Sequence, residues 1–281
     1  MKSKMKITMK LGLLAPLLIG VGSAQDAARS LAPDSAADDA AELAKKLANP
    51  VASLISVPVQ FNWDSGLGPG GDGEMMRVNI QPVIPISLND EWNLISRTVL
   101  PVVELNDVPT NAAGSISGLG DTVQSFFFSP KEPVGGWILG GGPVFLLPTA
   151  TDDALGGEKW GVGPTFVALR QNGPWTFGAL VNHISSVAGD DDRGDVNATF
   201  VQPFVSYITE TKTTLGLNLE STFDWQTDSW SIPLNFTVNQ LIKIGNQPVQ
   251  VGVGARYWLE SPDNGPDGWG FRFQLTWLFP Q

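Results

Sequence analysis

The chain has 281 residues, of which 16% are charged, and its formal net charge is −11. Such an acidic chain excludes nucleic acid as a partner, because that function needs clustered Lys and Arg. The chain contains no cysteine, so a disulfide framework is also excluded.

The first 24 residues have the three parts of a secretory signal peptide. Four lysines precede the apolar stretch 11–21, and Gly22, Ser23 and Ala24 supply the small residues for cleavage after Ala24. The alternative is an uncleaved anchor, although the apolar stretch is short for a membrane span. Cleavage would leave 13 basic and 28 acidic residues, a formal charge of −15.

Residues 25–52 are predicted to be a periplasmic leader with a short helix over 35–48. Ser35 can cap this helix, and Asn49-Pro50 would end it. The helix has few apolar residues, which favours a solvated leader. The alternative is a helix that docks in or under the mouth of a barrel.

From residue 53 to 281 the chain reads as strands with one apolar and one polar face. In the last strand, Trp269, Phe271 and Phe273 alternate with Gly270 and Arg272. Twelve strand-like segments follow one another: 53–64, 74–87, 91–105, 118–129, 136–148, 158–170, 174–187, 197–209, 212–226, 229–241, 248–260 and 268–279.

Short links alternate with longer links between these segments. The tight turn 226–229 is the one exception, because it stands where a longer link is expected. An even number of strands, short periplasmic turns and longer outer loops are typical of bacterial outer-membrane barrels. The sequence therefore predicts an all-β, antiparallel transmembrane β-barrel of about 12 strands with a short N-terminal helix. We expect the barrel to be integral to the bacterial outer membrane.

Tryptophan supports this interpretation, because amphipathic indoles collect at the two bilayer interfaces. A soluble β-sandwich would have to explain why these residues cluster at strand ends. The predicted girdle residues are Trp63, Trp92, Trp137, Trp160, Trp175, Trp225, Trp230, Trp269 and Trp277.

Five segments carry a resemblance to a known family. They are LANPVASLISVPVQFNWD (47–64), QPVIPISLNDEWNLISRTVLPV (81–102), GLGDTVQSFFFSPK (118–131), GPVFLLPTATDD (142–153) and GPWTFGALVNHISSVAGDDDRGDVNATFVQPFVSY (173–207). The chain resembles the outer-membrane transporters grouped with phenol degradation by the meta-pathway. The resemblance implies an outer-membrane barrel that takes up aromatic or other small hydrophobic compounds, and it implies no catalytic residues.

Charged residues on the inner face are the candidates for controlling the lumen. Carboxylates that face guanidinium groups would pair and either stiffen the lumen or form a constriction that selects solutes. The candidates are Arg77, Arg97, Glu220, Asp224, Arg256, Glu260 and Arg272.

The predicted outer loops carry acidic clusters. Asp190, Asp191, Asp192 and Asp195 lie in one loop, and closely spaced carboxylates can hold Ca²⁺. The alternatives are a solvated loop or bridging by divalent ions to the phosphates of lipopolysaccharide. Ca²⁺ is the one cofactor that the sequence suggests.

An enzyme is not expected. The single histidine, His183, could serve a membrane-embedded hydrolase as a base beside Ser185 or Ser186, but no nucleophile motif is visible. The predicted function is passage of small hydrophobic or aromatic solutes, and the alternative is a structural barrel with a sealed lumen. Expected partners are outer-membrane lipid, lipopolysaccharide, the solute, and the barrel-assembly machinery through the C-terminal strand.

Overall fold

The computed structural model describes residues 42–108 and 114–280. The predicted signal peptide and residues 35–41 of the predicted helix lie outside these ranges. A short helix covers residues 42–47, and no helix in the described ranges is long and apolar enough to cross a membrane. The strands are β1 Ile55–Leu67, β2 Gly73–Ile80, β3 Val83–Ser87, β4 Trp92–Asn106, β5 Ser115–Leu119, β6 Thr122–Pro130, β7 Ile138–Leu147, β8 Lys159–Asn172, β9 Trp175–Gly189, β10 Asn197–Ile208, β11 Thr213–Leu219, β12 Ser221–Asp224, β13 Ser229–Ile244, β14 Gln247–Glu260 and β15 Gly268–Phe279.

All these strands belong to one antiparallel sheet that closes on itself. The first and last strands pair along nine positions, from Ile55 opposite Phe279 to Trp63 opposite Phe271. Strands β9 and β10 also pair with each other, which completes the ring of strands. The predicted antiparallel barrel is confirmed, and closure satisfies the backbone groups that an open edge would expose to lipid.

Three of the twelve barrel strands are interrupted. β2 and β3 both pair with β1 and β4, β5 and β6 both pair with β4, and β11 and β12 both lie between β10 and β13. The first break falls at Gln81-Pro82, where proline cannot donate to the ladder. The third break falls at a single residue, Glu220.

The two faces of the strands separate as the alternation predicts. In β1, Asn62 and Asp64 are 2% and 1% exposed, whereas Phe61 and Trp63 on the other face are 38% and 42% exposed. Large apolar side chains, among them Phe166, are likewise exposed on the outer surface of other strands. A continuous apolar surface of this kind requires lipid around it. The protein is therefore an integral outer-membrane barrel.

Residues 42–52 of the leader, together with residues 53 and 54 that continue it, pack inside one end of the barrel, so the prediction of a solvated leader is wrong for this part of it. Val51 lies in a buried cluster with Ile95, Phe127 and Leu169, which come from β4, β6 and β8. A second cluster joins leader residues to the last strand and contains Ala52, Leu54 and Leu278, with Leu43 and Leu47 packed against it. The short links between strands, the start of β1 and the end of β15 all lie at this end, so it is the periplasmic end.

The docking site of the leader depends on small residues in the barrel wall. A Cβ atom added to Gly140 of β7 would lie 3.3 Å from Cγ1 of Val51 and 3.0 Å from Cγ1 of Val167. Two hydrogen bonds add to the apolar contact: Nε2 of Gln171 donates to the backbone oxygen of Lys45 at 2.8 Å, and Nδ2 of Asn93 donates to Oγ of Ser53 at 3.0 Å.

Candidate functional site

The candidate site is a cavity of about 870 Å³ inside the barrel. Its floor is formed by leader residues, including Leu47 and Pro50, and its upper wall includes Pro262 and Pro266 of the loop between β14 and β15. The floor and the barrel wall therefore enclose a space large enough for a small organic molecule.

A charged network crosses the cavity near its outer end. Arg272 donates two hydrogen bonds of 2.8 Å to the two carboxylate oxygens of Glu220, and its Nε donates to Oδ1 of Asn62 at 2.7 Å. Arg256 donates to the same Asn62 oxygen at 2.8 Å and lies 3.7 Å from Glu220. One amide oxygen thus joins two guanidinium groups that would otherwise repel each other.

Asp64 completes this network from β1. Its Oδ1 lies 3.1 Å from Nε of Arg256 and accepts a hydrogen bond from Nε1 of Trp258 at 2.9 Å. The guanidinium of Arg256 also lies over the Trp258 ring, 5.5 Å from its centroid. Such cation–π contacts strengthen when water is excluded.

Glycines make room for the two arginines. Arg256 pairs with Gly270 on the neighbouring strand, and Arg272 pairs with Gly254. A Cβ atom at Gly270 would lie 2.5 Å from Oδ1 of Asp64. The network therefore needs glycine at this position, in addition to its charged groups.

Arg77 and Arg97 line the cavity beside this network, and Arg77 pairs with Asn62 on β1, whose Nδ2 donates to the Arg77 backbone oxygen at 3.4 Å. The Arg77 side chain contacts Sδ of Met75 at 3.4 Å, and Arg97 donates to Oε1 of Gln81 at 3.0 Å. Gln81 in turn donates to Gln60 at 3.3 Å. In the described part of the chain, neither arginine has a carboxylate within 4.0 Å.

The two other predicted lumen residues lie outside this cavity. Asp224 ends β12 and accepts a hydrogen bond from the backbone N–H of Gln226 at 2.8 Å, so it stabilises the turn before β13. Glu260 ends β14 and is exposed. The alternation placed both on the inner face, but each is the last residue of its strand and neither lines this cavity. Five of the seven candidates therefore line the cavity: Arg77, Arg97, Glu220, Arg256 and Arg272.

Asn62, Asp64 and Trp258 also belong to the site, although the sequence analysis did not select them. Alternation in β1 does place Asn62 and Asp64 on the inner face, which is the signal that could have found them. Their partner Arg256 is separated from Asn62 by 194 residues in sequence, so only barrel closure brings the groups together.

The nine predicted girdle tryptophans lie at or near strand ends. Trp92, Trp175 and Trp277 fall near the periplasmic end, and Trp269 falls at the outer end, where its ring packs at a tilt against Tyr257 with 5.0 Å between ring centroids. Seven of the nine are exposed: Trp63, Trp92, Trp160, Trp175, Trp225, Trp230 and Trp269.

The outer loops do not gather the four aspartates around one point. Asp190 accepts the backbone N–H of Asp192 at 2.8 Å, whereas Asp195 lies 3.3 Å from Nζ of Lys159. Within residues 42–108 and 114–280, no group of three or more His, Cys, Asp or Glu could hold a metal ion. The Ca²⁺ site stays a prediction.

The pKa values of two loop carboxyl groups are shifted by their neighbours. Hydrogen bonds from Ser186 and Lys159, together with the Lys159 charge, lower the pKa of Asp195. A hydrogen bond with Asp153 raises the pKa of Glu158, and the charges of Asp153 and Asp190 act in the same direction. The pKa values of these two loop carboxyl groups are therefore shifted in opposite directions.

His183 lies on the outward face of β9. Its Nδ1 is 2.9 Å from Oγ1 of Thr199 and its Nε2 is 3.2 Å from Oγ of Ser185, and Trp225 also donates to Thr199 at 2.9 Å. The contacts with Thr199 and Trp225 cross from β9 to the turn after β12. In the series of contacts from Ser185 through His183 to Thr199, the third group is the neutral hydroxyl of Thr199, which also accepts the hydrogen bond from Trp225. The arrangement therefore stabilises the outer rim of the barrel.

No family model matches the chain. No curated protein matches it either. Solved structures do match. An outer membrane channel from Pseudomonas putida F1 has a TM-score of 0.61 at 16% identity, over 81% of this chain and 96% of that one. The NanC porin has a TM-score of 0.50 at 11% identity, over 81% and 100% of the two chains. These likenesses agree with the fold of an outer-membrane barrel.

Proposed function

We propose that the protein is an outer-membrane channel for small hydrophobic or aromatic solutes, narrowed at its periplasmic end by the docked leader. The observation that carries this proposal is the cavity of about 870 Å³ inside a closed barrel. A barrel of twelve strands lies between small filled barrels and wide porins, so a narrow lumen fits this strand number. The similarity of the fold to outer membrane channels and the resemblance to phenol-degradation transporters also support it.

A second, smaller cavity of about 140 Å³ continues the lumen past the leader. It lies between leader residues such as Lys46 and Asn49 and the barrel wall. Six residues line both cavities: Leu47 and Pro50 of the leader, and Gln81, Arg97, Gln250 and Gln274 of the barrel wall. A solute that enters the large cavity thus has a route along the leader, which becomes wider if the leader moves.

A structural barrel with a sealed lumen is the alternative. The buried contacts of Val51 and Leu54 favour it, because they fill the periplasmic end with apolar side chains. The two proposals differ in whether the leader leaves this position while the barrel stays intact.

Conductance separates the two functions. The full chain would be expressed in a Gram-negative host, purified from its outer membrane and inserted into planar lipid bilayers. A channel gives discrete current steps, and cells that lack other porins take up phenol faster when they produce it. An inserted barrel with no current, together with equal phenol uptake with and without the protein, would establish the sealed barrel instead.

A further inference from the structure

The charges in the large cavity do not balance. Among the described residues that line it, four are arginines and two are carboxylates: Arg77, Arg97, Arg256, Arg272, Asp64 and Glu220. Asp64 and Glu220 contact Arg256 and Arg272. The remaining two guanidinium groups give the lumen an excess of positive charge, although the whole chain is strongly acidic.

Both remaining guanidinium groups have donors left to offer. A guanidinium has five N–H donors, and Arg77 uses one on the sulfur of Met75 while Arg97 uses one on Gln81. The Arg77 side chain is exposed to the cavity, and Arg97 is half-buried. A planar guanidinium in this state is suited to bind a carboxylate through two parallel hydrogen bonds.

The two arginines lie at different depths. Arg77 pairs with Val103 near the outer end of β4, whereas Arg97 lies six residues further down the same strand and also lines the lower cavity. Six residues of strand correspond to about 20 Å. The two arginines are therefore attached to the wall at successive levels along a path through the lumen.

Lys46 lies at the lower end of this path. It lines the small cavity together with Arg97 and pairs with Glu42 of the leader at 2.9 Å. Its side chain is 45% exposed, and exposed pairs of this kind contribute little to stability. A passing anion can therefore compete with Glu42 for this lysine.

The other half of the wall is mainly apolar, although Asn182, Gln202 and Ser206 also line it. It comes from β6, β7, β9 and β10, of which β9 and β10 lie across the barrel from β1 and β2, whereas β6 is separated from β2 by β4. Its apolar lining residues are Val123, Leu146, Leu180, Ile184, Phe200 and Phe204. A ligand that satisfies both halves has a hydrocarbon body and one negative charge.

We propose that the lumen binds small amphipathic carboxylates, aromatic acids above all, with the carboxylate on Arg77 and then on Arg97 and the hydrocarbon body against the apolar half of the wall. This inference rests on the proposed channel function and specifies its solutes. Neutral aromatic molecules lack the group that the two arginines bind, and small inorganic anions lack the part that the apolar wall buries.

Binding and flux are measured separately to test the proposal. Equilibrium dialysis of radiolabelled benzoate against the purified full chain in detergent gives binding, and benzoate uptake into proteoliposomes gives flux. The variants are Arg77→Gln and Arg97→Gln, which keep hydrogen-bond donors but remove the charge. Arg170→Gln is the matched control, because Arg170 is exposed on β8 and does not line the cavity.

Loss of one charge-assisted contact is expected to weaken benzoate binding about 10-fold in each lumen variant. Binding to Arg170→Gln should equal binding to the unchanged protein, and neither benzyl alcohol nor inorganic phosphate at the same concentration should displace benzoate. Displacement by either compound, or binding that does not depend on Arg77 and Arg97, would overturn the proposal. Arginine-dependent binding without flux would leave the inference standing and reject the channel function, whereas protein-dependent flux of benzyl alcohol, measured above the flux into protein-free liposomes and equal to that of benzoate, would do the reverse.

Discussion

Arg272 binds Glu220 through two parallel hydrogen bonds of 2.8 Å, although two strands, β13 and β14, separate their positions in the sheet. Glu220 is the residue at which β11 ends and β12 begins. Its backbone N–H donates to the oxygen of Pro233 at 3.2 Å, outside the regular ladder. The break in the strand and the ion pair therefore occur at one residue, which lets the carboxylate reach into the lumen.

Removal of Glu220 should destabilise the barrel strongly. Glu220→Ala leaves the buried Arg272 with Asn62 as its remaining side-chain partner, and loss of one partner of a buried ion pair costs about 3–5 kcal/mol. Urea unfolding in detergent micelles, followed by tryptophan fluorescence, measures this change. Glu260→Ala, at the exposed end of β14, is the control and should change the free energy of unfolding by less than about 0.5 kcal/mol. Equal effects of the two substitutions would contradict the described network.

Gly270 provides a second test of the same network. In Gly270→Ala the new Cβ would lie 2.5 Å from Oδ1 of Asp64 and 2.6 Å from the backbone oxygen of Trp63, so the strand must shift. Overpacking of this kind costs about 1–3 kcal/mol. The same unfolding measurement applies, with Gly194→Ala as control, because a Cβ atom at Gly194 would meet nothing within 4 Å. A Gly270→Ala protein as stable as the unchanged one would show that Asp64 is free to move.

The barrel could be predicted from the sequence because the alternation of apolar and polar residues is visible within each single strand. Alternation within about ten residues assigns the two faces, so it placed Arg256 and Arg272 in the lumen without knowledge of their partners. The docked leader could not be predicted in this way. Its own sequence is poor in apolar residues, and Val51 becomes buried only because four barrel strands bring apolar side chains to the same point. Asp224 and Glu260 do not line the cavity for a related reason, since alternation does not show how far along a strand the cavity extends.

Release of the leader should open the periplasmic end. Val51→Asp places a charge among Ile95, Phe127 and Leu169, where a carboxylate loses its hydration and gains no partner. We expect larger single-channel conductance in planar bilayers and faster cleavage of the leader by added protease, while the barrel itself stays folded. Lys45→Ala is the control, because the Lys45 side chain is exposed and its backbone oxygen makes the contact with Gln171. Unchanged conductance in Val51→Asp, despite a cleaved leader, would show that the barrier to ions lies elsewhere in the lumen.

The contact between Asp195 and Lys159 should respond to pH. The pKa of Asp195 is lowered in the folded loop by Ser186 and Lys159, so its ionised form stabilises the loop. This contribution is present above the ordinary pKa of an aspartate and is lost as the pH falls through the lowered value. The protection of the backbone N–H of Val196, which donates to Ser186, against hydrogen exchange, expressed relative to the intrinsic exchange rate at each pH, should therefore be high near neutral pH and fall in acid. Asp195→Asn should remove the acid-dependent step, and persistence of the step in that variant would assign it to another group.

Two valines test where the barrel lies in the bilayer. Val253 is 48% exposed at the middle of β14, and Val187 is 66% exposed near the outer end of β9. Arginine on the lipid face costs about 2–4 kcal/mol at the midplane and about 0–1 kcal/mol near an interface. Val253→Arg should thus lower the folded fraction in vesicles far more than Val187→Arg, as read from the shift in gel mobility between folded and heated samples. The substitution is the same at both sites, so the difference reports depth alone. Equal losses of folded protein in the two variants would mean that Val253 does not lie at the bilayer midplane.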